Sequence, residues 1–439
     1  MKIKKLISIL AASFFFLSLS IIVSAKDFTY LVGAGSDAGK QAATAQSATW
    51  VKNLTKAINK AANDINAGGD VSVLIKVAAG DYNGDMGSGA YAIPLLNNLN
   101  GTLKIEGGYD SSFASRNPFA TPSKIVTVKD RSAPIITFTT KSKLKALIVD
   151  GLIFDSEASN AYDKKSNTLL YGKSCSHVFV KYNYLELNLL EYKNVVFMNA
   201  ANRVMETLVR AATPEAEVHF YNTVFLNNRI PLKLDGPGYK NKINKIIVDH
   251  CSFILNWAYN PDPNTGLPAA LEIGTNNALN EIVLTNNLFY SNFGGAIIAL
   301  NAKSPGMTIN KNNFIGNGLL HGESEPSAVA MIISAGGKKQ PINVATIEDV
   351  NFVNEAEGNV SISPGISYSL GNVKTVDANK IKANENWQNV IKSILGLNLD
   401  GGKVSVKDYA PKQNYDPKYP PFATVTPALA YGASEKLAK

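Results

Sequence analysis

Cysteine is nearly absent: Cys175 and Cys251 are the two in 439 residues. That is too few for a disulfide framework, and Cys251 falls inside a strand-like repeat, so the pair reads as two separate thiols. Beyond residue 23 no apolar run approaches the roughly 20 residues that cross a bilayer. No block of basic residues occurs, because lysines and acids are interspersed; this removes the footprint of a nucleic-acid binder. Metal-ligand spacings, a phosphate-binding loop, a dinucleotide fingerprint and a Gly-x-Ser-x-Gly elbow are all missing. Asp262-x-Asn264-x-Gly266 echoes the start of a calcium loop without its remaining ligands. No metal and no cofactor are therefore expected.

What is present begins with a leader. Lys2, Lys4 and Lys5 precede an apolar run from Leu6 to Val23, and Val23-Ser24-Ala25 offers small residues for cleavage. No cysteine follows that site, which argues against a lipid anchor. The formal charge of +8 drops by three when the leader lysines are removed. A mildly basic, exported chain is expected, at the cell surface, outside the cell or in the periplasm.

The body of the chain repeats one frame, seen plainly in KIIVDHCSFILN (245–256). It recurs as VHFYNTVFLNN (218–228), EIVLTNNLFYSN (281–292), GMTINKNNFIGN (306–317) and ATIEDVNFVNE (345–355). Phe225, Phe253, Phe289, Phe314 and Phe352 form one column, with Asn228, Asn256, Asn292 and Asn317 three positions after the first four. Each frame is followed by a shorter apolar segment: METLVRA (205–211) precedes the series, then PLKLDG (231–236), AALEIG (269–274), GAIIALN (295–301) and AVAMIIS (328–334). Two strands per coil and repeats of 25 to 38 residues fit a solenoid, in which no coil buries its own face alone. Neighbouring coils then pair in parallel at roughly 4.8 Å. The phenylalanines stack as core. The asparagines suit corners where the backbone turns left-handed, and their amides can bond along the axis. LIVDGLIFDSE (147–157) fits the frame, while the register between 124 and 200 stays open.

Four segments follow: a leader (1–25), an N-terminal cap with the first coils (26–123), the coils (124–375), and a C-terminal helix with tail (376–439). In the cap, Phe28 to Val32 reads as a strand, followed by a polar loop. Trp50, Val51, Leu54, Ala57, Ile58, Ala61, Ala62 and Ile65 predict an amphipathic helix over 47–67, capped by Ser47 and ended by Gly68-Gly69. A helix over the end of a strand stack hides its open edge. A second helix is expected over 381–396, from Trp387, Val390, Ile391, Ile394 and Leu395. The tail after Asp408, with Tyr409, Tyr415, Tyr419 and Phe422, reads as extended and either docked or free.

The run Ala57-Ile58, Ala61, Val73, Ile75, Gly80 and Tyr82 resembles the N-terminal cap of pectate-lyase-like right-handed parallel β-helix proteins. IEGGYDSSFASRNP (105–118) is similar to a phrase found early in exported bacterial β-helix proteins. The resemblance covers about residues 47–365 and implies an all-β, right-handed parallel β-helix. It does not select a function, since that superfamily holds lyases, hydrolases, adhesins and structural proteins. VDHCSF (248–253) resembles the Asp-His-Cys strand of pectate lyases. In frame, however, His250 falls where Asn222, Asn286, Lys311 and Asp349 stand elsewhere, which marks a turn position. The chain lacks the adjacent Asp-Asp and Gly-His-Gly of the polygalacturonase-like glycosidases of this fold.

The candidate surface is the face of the shorter strands. Lys233 aligns with Glu272 there, outward and one strand spacing apart, as a salt bridge would be; Asp235 aligns with Gly274, Asn301 and Ser334. Loops 257–268 and 316–326 leave the coil at corresponding points and would wall a cleft with Trp257, Tyr259 and His321, together with Glu323 and Glu325. Two functions follow. One is a non-catalytic scaffold or binding module for a polysaccharide or a surface protein. The other is a lyase that β-eliminates a uronic-acid polymer. Lys233 would then be the base and Arg229 would offset the enolate charge, with Asp235, Glu272, Trp257, Tyr259 and His321 holding substrate.

Overall fold

A computed structural model describes residues 25–33, 35–84, 91–118, 120–128, 136–139, 141–156 and 185–200. It further describes strands and corners between 203 and 377 that are named below, and residues 432–433. The described chain is mostly β. Three stacked sheets of eleven, nine and six strands carry most of it, and their strand order is that of a solenoid. From Glu217–Tyr221 the chain enters the first sheet, moves to Val224–Leu226 in the second and Ile230–Leu234 in the third, then returns to the first at Lys245–Asp249. The same circuit continues through Ser252–Ile254 and Leu271–Ile273, then Glu281–Thr285, Leu288–Tyr290 and Ile297–Ala299, then Gly306–Asn310, Asn313–Ile315 and Ala330–Ile333. Every pairing along this circuit is parallel.

Each coil thus carries three strands, not the two read from sequence. The repeated frame is itself broken by a left-handed bend, at the column that the sequence marks as a turn position. Gly151, Asn194, Asn222, His250 and Asn286 hold φ of 67°, 54°, 47°, 50° and 54° at that one corner. Asparagine and glycine tolerate this region best. METLVRA also divides: Arg203–Glu206 joins the third sheet, while Val209–Ala211 pairs with Leu185–Leu187 in the first.

The core lies inside the three sheets. Phe220, Val248 and Leu284 from the first, Phe225, Phe253 and Phe289 from the second, and Leu234, Leu271 and Ile273 from the third belong to one buried cluster. The aromatic column runs Phe154, Phe197, Phe225, Phe253, Phe289, with centroids 5.1, 5.3, 4.7 and 4.7 Å apart and the last two pairs within 8° of parallel. Phe154 and Phe197 supply the register that sequence left open before residue 200.

Asn228, Asn256 and Asn292 are buried at the corner after the second sheet. The Asn256 Oδ1 accepts the Asn228 N–H at 3.0 Å, and the Asn292 Oδ1 accepts the Asn256 N–H at 3.1 Å. Their amides also donate to the Phe197, Phe225 and Phe253 carbonyls. The expected ladder of amides is therefore present; at the same corner Asn199, directly after the strand Val196–Met198, holds a left-handed φ of 63°. A second ladder stands inside that first corner, where Asn287 accepts the Cys251 N–H and Asn312 accepts the Asn287 N–H. Cys251 occupies a position in this buried column, and burial pushes its thiol pKa well up. Cys175 lies outside the described residues.

The cap departs from expectation in one place. Helix α1 (Ser36–Ala45) occupies the stretch read as a polar loop, and α2 (Leu54–Asn66) is shorter than the predicted 47–67. Thr49–Val51 is a strand beside Lys26–Val32, and Asn53, not Ser47, caps α2 by accepting the Lys56 N–H at 2.9 Å. Trp50 satisfies a helical period by coincidence. Its indole lies against Gly39, where a Cβ would approach within 2.2 Å, and donates to the Gly33 carbonyl. Leu54, Ala57, Ile58, Ala61, Ala62 and Ile65 bury the face of α2 as expected, and Gly68-Gly69 ends it with positive φ. At the far end, two pairings turn antiparallel: Ala330–Ile333 with Lys339–Pro341, and Ser367–Leu370 with Val373–Asp377. The expected helix over 381–396 and the aromatic tail residues lie outside the described residues.

Candidate functional site

The third sheet carries the predicted surface. Strand alternation buries Leu232 and Leu234 and turns Lys233 outward; Leu271 and Ile273 do the same for Glu272. Lys233 and Glu272 are register partners, and Nζ lies 3.5 Å from Oε1, with both side chains mostly covered at 16% and 18% exposure. The register continues to Glu206 on one side and Ile298 and Met331 on the other. Arg229, Asp235, Trp257, Tyr259 and His321 lie outside the described residues, as do Glu323, Glu325 and the Asp262 loop. Among the described residues no cluster of His, Cys, Asp and Glu is arranged to hold a metal ion, and no helix is long and apolar enough to cross a membrane.

His250 sits at the left-handed corner, with Nδ1 2.8 Å from Asp249 Oδ2. Asp249 is held by the next coil. The Thr285 hydroxyl and the Asn286 amide of the next coil both donate to its Oδ1, at 2.8 and 2.9 Å. Burial would raise the Asp249 pKa, but the bonds from His250, Asn286 and Thr285 prevail and hold it below the ordinary carboxylate range.

Two charged groupings were not singled out in the sequence. On the first sheet, His219 stands between Glu217 and Glu191, at 2.6 and 3.7 Å, and Lys193 lies 3.4 Å from Glu191. Register brings them together, since His219 pairs with Glu191 across coils. The second grouping is denser. Arg116 reaches back to the Gly107 carbonyl at 2.9 Å and to Asp150 Oδ1 at 2.5 Å, and lies 3.6 Å from Glu106. Lys104 and the Tyr109 hydroxyl also donate to Glu106, while Asn194 donates to Asp150 at 2.8 Å. The Asp110 carboxylate folds the intervening loop by accepting from Ser112, Ala114 and Ser115. The signal in sequence was the phrase 105–118 itself: its Glu106 and Arg116 tie the first coils together, and its Asp110 folds the loop between them.

This grouping gives a pH prediction. Burial opposes ionisation of Glu106, but the Lys104 and Tyr109 bonds and the nearby charges hold its pKa below the ordinary 4.5. Glu191 and Asp249 shift the same way, and Asp110 falls to about 2. A carboxylate whose pKa is lower when folded binds protons first in the unfolded chain. Stability is therefore full above the unfolded pKa and declines as pH falls through the folded one. We expect the thermal midpoint to be level above about pH 5 and to fall steadily on acidification. Glu106→Gln should flatten that acid limb in a scan of midpoint against pH; an unaltered limb would show that the slope comes from elsewhere.

The chain matches no protein-family model, and no curated protein is similar to it. Fold and site together define a mostly β chain of stacked parallel sheets, compatible with a β-helix.

Proposed function

We propose that this chain is an exported right-handed parallel β-helix of the pectate-lyase-like kind. It acts at the cell surface or outside the cell as a rigid, non-catalytic scaffold or binding module for polysaccharide or protein. The handedness and the kinship rest on the cap and phrase motifs, and the export rests on the leader. One observation carries the functional reading: the polar groups that a catalyst would use are engaged by the next coil. Lys233, the base that β-elimination would require, is ion-paired with Glu272 along the register. Asp249 accepts from Thr285 and Asn286 of the next coil, and His250, at a corner position that asparagine fills in neighbouring coils, is bonded to Asp249. Such pairing is the ordinary chemistry of a strand stack.

The test is incubation of the leaderless protein, with calcium, against a panel of acidic polysaccharides, followed by ultraviolet absorbance of unsaturated uronic ends and by co-sedimentation. Binding without new unsaturated ends is expected. A rise in absorbance that vanishes in Lys233→Ala would overturn the scaffold reading in favour of a lyase. In the scaffold, Lys233→Ala should lower stability by about 1 kcal/mol or less in urea unfolding.

A further inference from the structure

Three neighbouring strands of the second sheet, Val196–Met198, Val224–Leu226 and Ser252–Ile254, are buried on both faces. Ser252 and Ile254 flank Phe253 and point to the opposite side of the strand. Both are nevertheless fully buried, as are Val224 and Leu288 on the neighbouring strands, and none of the four belongs to the central core. Among the described residues, two from far along the chain sit on this outward face. The Gly432 N–H donates to the Asn286 carbonyl at 2.7 Å, and the Ala433 N–H donates to Ser252 Oγ at 2.8 Å across 181 residues of sequence. Ala433 is itself fully buried.

The fit is specific at both partners. Gly432 holds φ of 77°, and a Cβ there would stand 2.7 Å from Ser252 Oγ and 2.9 Å from Leu288 Cβ. Glycine is thus required by backbone and by space alike. On the sheet, Ser252 is flanked in register by Val224 and Leu288, with Val196 beyond Val224. A buried hydroxyl in an apolar column needs a partner, and the Ala433 N–H is one.

We propose that Gly432–Ala433 is a C-terminal latch. The Asn286 carbonyl, the Ser252 hydroxyl and the Leu288 side chain form a binding site for a Gly–Ala peptide whose glycine is left-handed. The site ties residues 432–433 to the coils that carry Ser252 and Asn286. This holds whether the protein is a scaffold or an enzyme.

The test uses the full chain carrying Gly432→Val, read by amide hydrogen exchange. Exchange over residues 249–254 and 285–290 should quicken by about tenfold as the latch is displaced. A synthetic peptide of residues 428–439, added in excess, should restore the slow exchange, and the same peptide carrying Gly432→Val should not. Ser252→Ala adds no bulk and is the second variant, expected to speed exchange at the Ala433 amide and to weaken the peptide. Unchanged exchange in Gly432→Val, equal rescue by both peptides, or an unaltered Ala433 amide in Ser252→Ala would each overturn the latch.

Discussion

Phe253→Ala lowers the unfolding free energy by about 3–5 kcal/mol, the range for removing a fully buried aromatic from a packed core. Phe253 is fully buried and stacks at 4.7 Å on Phe225 below and Phe289 above, so one substitution opens two ring contacts. The neighbours cannot collapse into the gap, because each ring is carried by a three-residue strand whose register is fixed on both sides. Urea unfolding followed by far-ultraviolet circular dichroism gives the number. A loss near 1 kcal/mol would mean that the coils close around the gap and that the stack is looser than its spacing implies. Phe253→Leu, which fills most of the volume, should recover more than half of the loss.

Asn256→Leu is expected to cost as much, by a different route. Leucine is close in size but cannot hydrogen-bond. The substitution leaves the Asn228 N–H and the Phe225 carbonyl without the Asn256 amide in a buried corner, while the Asn292 Oδ1 keeps only the backbone N–H of residue 256. Each orphaned buried group costs about 1–3 kcal/mol, so a total of about 3–5 kcal/mol is expected after partial relaxation. Hydrogen exchange should show the Asn228 amide released well before the first-sheet strands. Were Asn256→Leu neutral, the corner would have to admit water to the Asn228 N–H and the Phe225 carbonyl, and the ladder would be decoration on a frame held by its aromatics.

These two columns were the most legible part of the chain, because they repeat. A residue that must stack on its own counterpart in the next coil is forced to recur at a set place. Phe253 and Asn256 were readable for that reason, as was the pairing of Lys233 with Glu272. The features that escaped do not recur. Helix α1 is built from Ser, Asp, Ala, Gly, Lys, Gln and Thr, with little apolar contrast to show a face, and its anchor is a tryptophan that belongs to a strand. By contrast, the bend inside the frame was readable as a turn position, because Asn222, His250 and Asn286 share one column; the structure adds its positive φ. The Arg116 grouping joins side chains 34 residues apart whose partners no local pattern names. The candidate site was readable only where it shared the repeat; Arg229, Asp235, Trp257, Tyr259 and His321 belong to loops and turns that the repeat does not govern.

The spacing of the ladder partners has one further consequence. Successive asparagines are separated by 28, 36 and, in the adjoining column, 25 residues, while the bonds between them stay near 3 Å. Stretching a coil from 28 to 36 residues adds only about 0.2 kcal/mol of closure entropy, since that cost grows with the logarithm of length. Insertions between strands are thus nearly neutral for the frame, whereas a change of one residue within a strand would invert its faces. Descendants of such a chain can lengthen, shorten or exchange what projects from each turn while inheriting the same spine. Diversity of recognition and constancy of architecture are then selected almost independently.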